Sequence, residues 1–307
     1  MKIEHKELKK LLKLPIAELI KIADSVRAED SGTRLDICTI LNAKSGSCSE
    51  DCKFCAQSCR HATGIETYPL KSNNEIFMAA IAAKKNGAER FGIVTSGNVL
   101  TDADLNRIAK CITEIRNKIG IKVCGSLGKL GVEELKFLKR SGMSRYHHNI
   151  ETSPRYFRKI VTTHTFSERI GTIKAAKKAG LEVCSGGIIG LGETWQDRID
   201  MAMVLKELDV DSVPVNILVP VDGTPLEGAD NISCTDAIRT IAIFRIILKD
   251  KCVKLAAGRE TVLKDFQASA FMAGANGMLI GGYLTVRGRE VCEDQKLIKE
   301  IKSAWKR

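Results

Sequence analysis

The sequence predicts an α/β fold, a (β/α)8 barrel of the TIM type with an N-terminal helical extension. Two observations carry this. Short apolar runs alternate with helical patterns about eight times beyond residue 36,. The chemically distinctive residues fall near or just beyond the C-terminal ends of those runs: a cysteine group after the first, Ser96 after the second, then Cys124, Asn149, Cys184, Asn216, Arg259 and Thr285. A doubly wound open sheet also alternates, but it would scatter these residues along an edge, whereas a barrel gathers eight strand ends around one mouth. The expected division is a helical extension over 1–36, analogous to a lid on the N-terminal face, and a barrel over 37–307.

The strands are expected in "ICTIL" from Ile37, "RFGIV" from Arg90, "IKVCGS" from Ile121 and "RYHHNI" from Arg145. "LEVCSG" from Leu181, "SVPVNIL" from Ser212, "VKLAA" from Val253 and "GMLIGG" from Gly277 complete the eight. The helices between them have boundary signals. "NNEIFMAAIAAKKNG" opens on Asn with Glu75 in its first turn and closes at Asn86-Gly87,. "TDADLNRIAKCITEIRNKIG" opens on Thr101-Asp102, closes at Gly120, and sets Leu105, Ile108, Ile112 and Ile115 on one face,. "TFSERIGTIKAAKKAG" and "TWQDRIDMAMVLKELD" repeat the design.

Composition narrows the function. Of 307 residues, 44% are hydrophobic and 28% charged, and no apolar run approaches the roughly 18 residues a membrane span needs,. The N-terminus carries charges throughout and lacks the apolar core of a secretory signal, so a cytoplasmic protein is expected,. The 48 basic against 37 acidic residues give +11, but the lysines spread along helices with no Arg-rich tract and 5% aromatics. That is a solvated basic surface rather than a nucleic-acid face. Eleven cysteines in a chain of this patterning point away from a disulfide scaffold and toward a metal or cluster site,. Cys111, Cys234, Cys252 and Cys292 are isolated and expected to be ordinary small residues, as is Cys38 on the first strand,.

In "GSCSEDCKFCAQSCRH", from Gly46 to His61, four cysteines fall within twelve residues: Cys48, Cys52, Cys55 and Cys59. Cys-x3-Cys-x2-Cys is compact enough to offer three thiolates to one inorganic core, and soft thiolates select iron–sulfur clusters or zinc. Cys59 would close a zinc site locally. Against zinc, the loop follows the first strand and would occupy a whole active-site mouth.

"CSEDCKFC" resembles the loop of radical S-adenosylmethionine enzymes, with the aromatic Phe54 before the last cysteine. "CKFCAQS", "HNIETSP", "VCSGGIIGLGET", "VPVNILVPVDGTPL", "LAAGRE" and "FMAGANGMLIGG" are similar, in order from about Ile37 to Thr285, to biotin synthases. The resemblance implies a [4Fe–4S] cluster on Cys48, Cys52 and Cys55, with one iron open to S-adenosylmethionine. It implies sulfur insertion into dethiobiotin: a 5′-deoxyadenosyl radical activates C9, a second one C6, and the sulfur comes from an auxiliary cluster. It also implies a reductant such as flavodoxin or ferredoxin, a homodimer, and no nucleic-acid or membrane partner. Hydrogenase-maturation and methylornithine-forming enzymes of the same branch are the alternative, and a non-enzymatic metal-binding protein a remoter one.

This chain departs from the pattern at the auxiliary cluster. The family's ligands there are three cysteines and an arginine; Cys124 and Cys184 remain, but Gly92 and Lys254 stand at the other two positions. Glycine offers no side-chain ligand and a protonated lysine no lone pair. Cys59 is expected to restore the third thiolate. The pattern is similar to a variant group from anaerobes, which implies a four-iron auxiliary cluster carrying an extra sulfide; a [2Fe–2S] site with one non-cysteine ligand is the alternative. The resemblance further implies that Asn149 and Glu151 contact the ribose of S-adenosylmethionine, with Glu151 where Asp is usual, and that Arg169 pairs with its carboxylate. Asn216 suits the ureido ring of dethiobiotin, Thr285 the substrate carboxylate, and His147, usually Asn, either reaches the substrate or packs.

Overall fold

A computed structural model describes residues 5–285 and 288–306. Each of the eight expected strands forms, and Gly187–Ile189 adds a ninth: β1 (Asp36–Lys44), β2 (Arg90–Thr95), β3 (Lys122–Ser126), β4 (Met143–His147), β5 (Glu182–Cys184), β6 (Gly187–Ile189), β7 (Ser212–Ile217), β8 (Cys252–Leu255) and β9 (Gly277–Leu279). All pairings are parallel, in the order β5-β4-β3-β2-β1-β9-β8-β7-β6, and β5 also pairs with β7. The sheet therefore closes on itself, with β5 and β6 as two halves of one barrel position. The result is the predicted eightfold (β/α)8 barrel.

The interruption between β5 and β6 has a local cause. A Cβ on Gly186 would lie 2.0 Å from the carbonyl oxygen of Pro214, so only glycine allows the chain to pass here,. The amides of Ile150 and Glu151 donate to the Gly186 carbonyl, and Asn149 Oδ1 accepts from its amide at 3.1 Å. Ladder bonds are thus exchanged for bonds that build the site.

Strand alternation sorts the residues between core and interior. On β2, Phe91 and Ile93 are fully buried under the helices, whereas Arg90, Gly92 and Val94 line the barrel interior. The helix Asp102–Lys118 buries Leu105, Ile108, Ile112 and Ile115 on the face the sequence marked. Each such apolar side chain contributes about 1.5–3 kcal/mol. Its N-cap is Thr101, whose hydroxyl accepts from the Asp104 amide,. The helix Asn73–Lys85 starts one residue after Ser72, which forms a reciprocal box with Glu75,.

The N-terminal extension comprises the helices His5–Leu11 and Ile16–Ser31; residues 1–4 lie outside the described part. The longer helix packs against the outer-ring helices Cys234–Leu248 and Gln267–Met272. Arg239 donates to the carbonyls of Leu12 and Leu14, fixing the turn between the two helices.

Candidate active site

The barrel interior opens at the C-terminal strand ends into a chamber of about 450 Å³. Its mouth is formed by the cysteine loop, and Cys48, Cys52 and Cys55 all line it. The loop closes on itself: the Cys48 amide donates to the Gln57 carbonyl at 3.1 Å and the Cys59 amide to the Cys48 carbonyl at 2.8 Å. Asp51 fastens it to the barrel, accepting from the amides of Thr162 and Thr163 at 2.9 and 3.2 Å. Burial, followed by the charges of Cys48 and Glu151, pushes the Cys55 thiol up to about 11; burial and neighbouring charges push Cys52 up as well. These thiols stay protonated until a metal displaces the protons.

The donor chemistry fits the iron–sulfur group. Three soft sulfur donors face one space, and among the described residues no three His, Cys, Asp or Glu side chains converge as a single ion requires. A polynuclear core needs no such convergence, because each thiolate takes its own iron. The hydroxyls of Thr95 and Ser96 also line the chamber, buried and without a partner, as expected where a polar ligand completes the set,.

Asn149, Glu151 and Arg169 come together beside the loop. Arg169 donates to Glu151 Oε1 at 3.0 Å, to His164 Nε2 at 3.2 Å, and through Nε to the Asn149 carbonyl. Asn149 Nδ2 donates to Glu151 Oε2 at 3.3 Å. With Nε2 accepting, His164 carries its proton on Nδ1 and donates to Glu50 Oε2 at 2.6 Å,. Glu50 stands between the first two cluster cysteines, so one chain of polar contacts links the loop to the end of β4. Glu151 adopts φ 66, a left-handed conformation uncommon for a side-chain residue, held by its amide and carbonyl bonds to Gly186 and Ile188,.

Of the substrate candidates, Asn216 is already in use. Its Nδ2 donates to the Gly187 carbonyl and its Oδ1 accepts from the Ala257 amide, both at 3.2 Å, leaving one proton and one lone pair over,. Thr285 lies exposed at the rim and lines the chamber. His147 points into the interior beside Cys184. Burial opposes the Cys184 thiolate, but His147, Lys254 and Arg145 outweigh it and bring its pKa down to about 6.

Cys59 is exposed and is not among the residues lining the chamber; its amide donates to the Cys48 carbonyl. Cys124 and Cys184 are buried in the chamber wall as expected, and the further strand cysteine lining it is Cys38, which sequence reasoning had set aside as core. The strand period was the available signal: Cys38 and Ile40 share a face, and Ile40 pairs in register with Gly92, which pairs with Cys124,. Sequence reasoning also missed Glu50 and His164, whose link to Arg169 no spacing reveals.

Below these thiols lies a buried charged floor. Asp36 accepts from Lys254 at 2.7 Å and from Arg90 at 3.3 Å, and Arg145 approaches it at 3.5 Å. Arg90 and Arg145 also reach Glu182 at 2.9 and 2.8 Å. Burial works against the Asp36 carboxylate, but Lys254 and Arg145 hold it far below the ordinary carboxyl range.

The comparisons with known proteins agree with this geometry. The Radical SAM superfamily matches residues 44–205, and the Biotin and Thiamin Synthesis associated domain matches 214–302. The chain is 50% identical to a biotin synthase of Thermotoga petrophila over 96% of its own length and 98% of the relative's. It is 53% identical to that of Thermotoga neapolitana, covering 88% and 97%. Among solved structures it superposes on methylornithine synthase with TM-score 0.85 at 21% identity, covering 99% of this chain and 93% of that one. An FeFe-hydrogenase maturase from Carboxydothermus hydrogenoformans gives 0.82 at 20%, covering 97% and 75%. At those identities the last two speak for the fold alone. Sequence relatives spanning nearly its whole length therefore decide the matter: the chain belongs to the biotin synthase family of the radical S-adenosylmethionine superfamily.

Proposed function

We propose that this chain converts dethiobiotin to biotin, with S-adenosylmethionine as the radical source and an auxiliary iron–sulfur cluster as the sulfur donor. The single observation that carries the reading is the chamber itself, which has one set of thiols at its mouth and a separate set in its wall. A substrate held between the two would be open to the radical chemistry that a cluster at the mouth would supply.

The loop cluster, when bound on Cys48, Cys52 and Cys55, supplies the electron that cleaves the sulfonium of S-adenosylmethionine. The chain's own residues orient and exclude. Arg169 pairs with the methionine carboxylate, a contact that guanidinium geometry favours. Asn149 and Glu151 take the ribose hydroxyls; the longer Glu151 reaches them from its left-handed backbone position. Asn216 offers its remaining proton and lone pair to the ureido ring, and Thr285 caps the substrate carboxylate at the rim. His147, beside Cys184, reaches the auxiliary site from the substrate side.

The auxiliary cluster is a four-iron unit with an added sulfide, for which three thiolates and a surrounding cationic floor are suited. A [2Fe–2S] unit is the second reading, favoured by Cys124 and Cys184 standing where the family holds one. Flavodoxin or ferredoxin supplies electrons, the chain acts as a homodimer, and it works in the cytoplasm, where reduced thiols persist. Among the described residues no helix is long and apolar enough to cross a membrane.

Anaerobic incubation of the reconstituted protein with dethiobiotin, S-adenosylmethionine and a reductant tests the reading. Biotin and 5′-deoxyadenosine are the expected products; 5′-deoxyadenosine without biotin assigns a different substrate.

A further inference from the structure

We infer that Glu50 and His164 form a positioning pair, which holds the Arg169 guanidinium in place for the carboxylate of S-adenosylmethionine and ties that geometry to the cysteine loop. The inference rests on the proposed function and deepens its cosubstrate site.

Donor arithmetic is the first support. A guanidinium carries five N–H groups and can only donate. Three of those on Arg169 are used: Nε on the Asn149 carbonyl, Nη1 on His164 Nε2 at 3.2 Å and Nη2 on Glu151 Oε1 at 3.0 Å. One N–H on each terminal nitrogen is left over, which suits an anion with two oxygens. Because Arg169 can only donate, His164 Nε2 must accept, and the imidazole proton lies on Nδ1, 2.6 Å from Glu50 Oε2,. Glu50 thereby selects the tautomer that can receive Arg169. A neutral imidazole orients the guanidinium without setting a further negative charge directly against it, as a carboxylate there would.

Enclosure is the second support. The side chains of His164 and Glu50 are 5% and 13% exposed, and those of Arg169 and Glu151 13% and 12%. The His164 ring stands edge-on to Phe157 with centroids 5.7 Å apart, and Phe157 is fully buried in the small apolar cluster against which Cys52 and Phe54 also pack. Removal from water strengthens each polar contact and raises the cost of an unmade one.

Connectivity is the third. Glu50 lies two residues from Cys48 and two from Cys52. Beside it, Asp51 accepts from Thr162 and Thr163, so three consecutive residues ahead of the helix Phe166–Lys178 hold both acids of the loop. Of the three, His164 carries the contact onward to Arg169, in the first turn of that helix. The seat of the loop and the aim of the guanidinium are therefore set together.

The test is calorimetric titration of the full chain, reconstituted anaerobically with iron and sulfide, against S-adenosylmethionine. His164→Leu should weaken binding about 10-fold, whereas His164→Gln, whose amide keeps a donor and an acceptor, should stay within about threefold of wild type. Arg169→Gln alone is expected to lose about 30-fold, and adding His164→Leu to it should lose no more, because a positioning residue acts through its partner. Losses that multiply to about 300-fold in the double variant, or wild-type affinity in His164→Leu, overturn the inference alone. The reduced loop cluster of His164→Leu should still change its electron paramagnetic resonance signal at saturating S-adenosylmethionine, which shows that the site is assembled. If His164→Leu takes up no loop cluster, His164→Gln decides: near-wild-type affinity supports the pair, and affinity as weak as that of Arg169→Gln argues against it. Wild type that binds no S-adenosylmethionine overturns the radical reading as well.

Discussion

The mouth and the floor of the chamber hold sulfur in opposite ways. At the mouth, three thiols come from eight consecutive residues of one loop, partly exposed, and the loop is tied to the barrel where Asp51 accepts from Thr162 and Glu50 from His164. In the interior, Cys38, Cys124 and Cys184 come from three strands, each buried, above a floor of buried cations. A loop can leave one side of its cargo open to a ligand, which cleavage of S-adenosylmethionine requires. Side chains on paired strands are instead held in place by the ladder around them. The difference in mounting suits the proposed roles, in which the loop centre admits a cosubstrate and the interior centre presents an atom.

That contrast can be broken at either end. The largest effect is expected from Cys52→Ala, which should lower 5′-deoxyadenosine formation at least about 1000-fold while leaving the auxiliary iron in place. Loss of all iron in that variant would show that the two centres are not independent. At the floor, Asp36→Asn should cost on the order of 3 kcal/mol in urea unfolding, because it leaves three cations short of a partner. The pH dependence follows the same group. Its carboxyl is held below the ordinary 3.8, so its contribution is present above that value and fades as pH falls beneath it,. Wild type should therefore lose stability on acidification below about pH 4 more steeply than Asp36→Asn; equal slopes would contradict the account.

Between these ends, Arg169→Gln should weaken S-adenosylmethionine binding about 30-fold, or roughly 2 kcal/mol, by removing a charged contact and stranding Glu151. Calorimetric titration of the reconstituted protein reads this directly, and unchanged affinity would remove Arg169 from the site. The smallest effect sharpens the comparison by lying outside it. Ser72→Ala should cost about 1 kcal/mol of stability through the lost N-cap, with both iron components intact in the Mössbauer spectrum.

Much of this was legible in the sequence, and unevenly so. All eight barrel strands stood out because period and length are local properties, and Thr101 and Glu75 marked helix starts through short-range hydrogen bonds. The loop cysteines were legible for the same reason, as their spacing is the site. The cysteines of the interior lining were legible only in part. Cys59 is close in sequence to the loop trio, but its exposure outside the chamber lining is set by the folded turn that binds its amide to Cys48. Cys38 looked inert because a lone strand cysteine is usually packing, and only the register of β1 against β2 brings it into the chamber. Lys254 stands at a position where the family has a ligand, and its contacts with Asp36 and Cys38 are set by the fold alone.

The most direct test of two separate sulfur-bound centres is the iron-57 Mössbauer spectrum of a variant with Cys48, Cys52 and Cys55 all replaced by alanine, after anaerobic reconstitution. A residual component of about four irons per chain is predicted, held by the strand thiols alone. A folded variant that binds no iron would contradict the account.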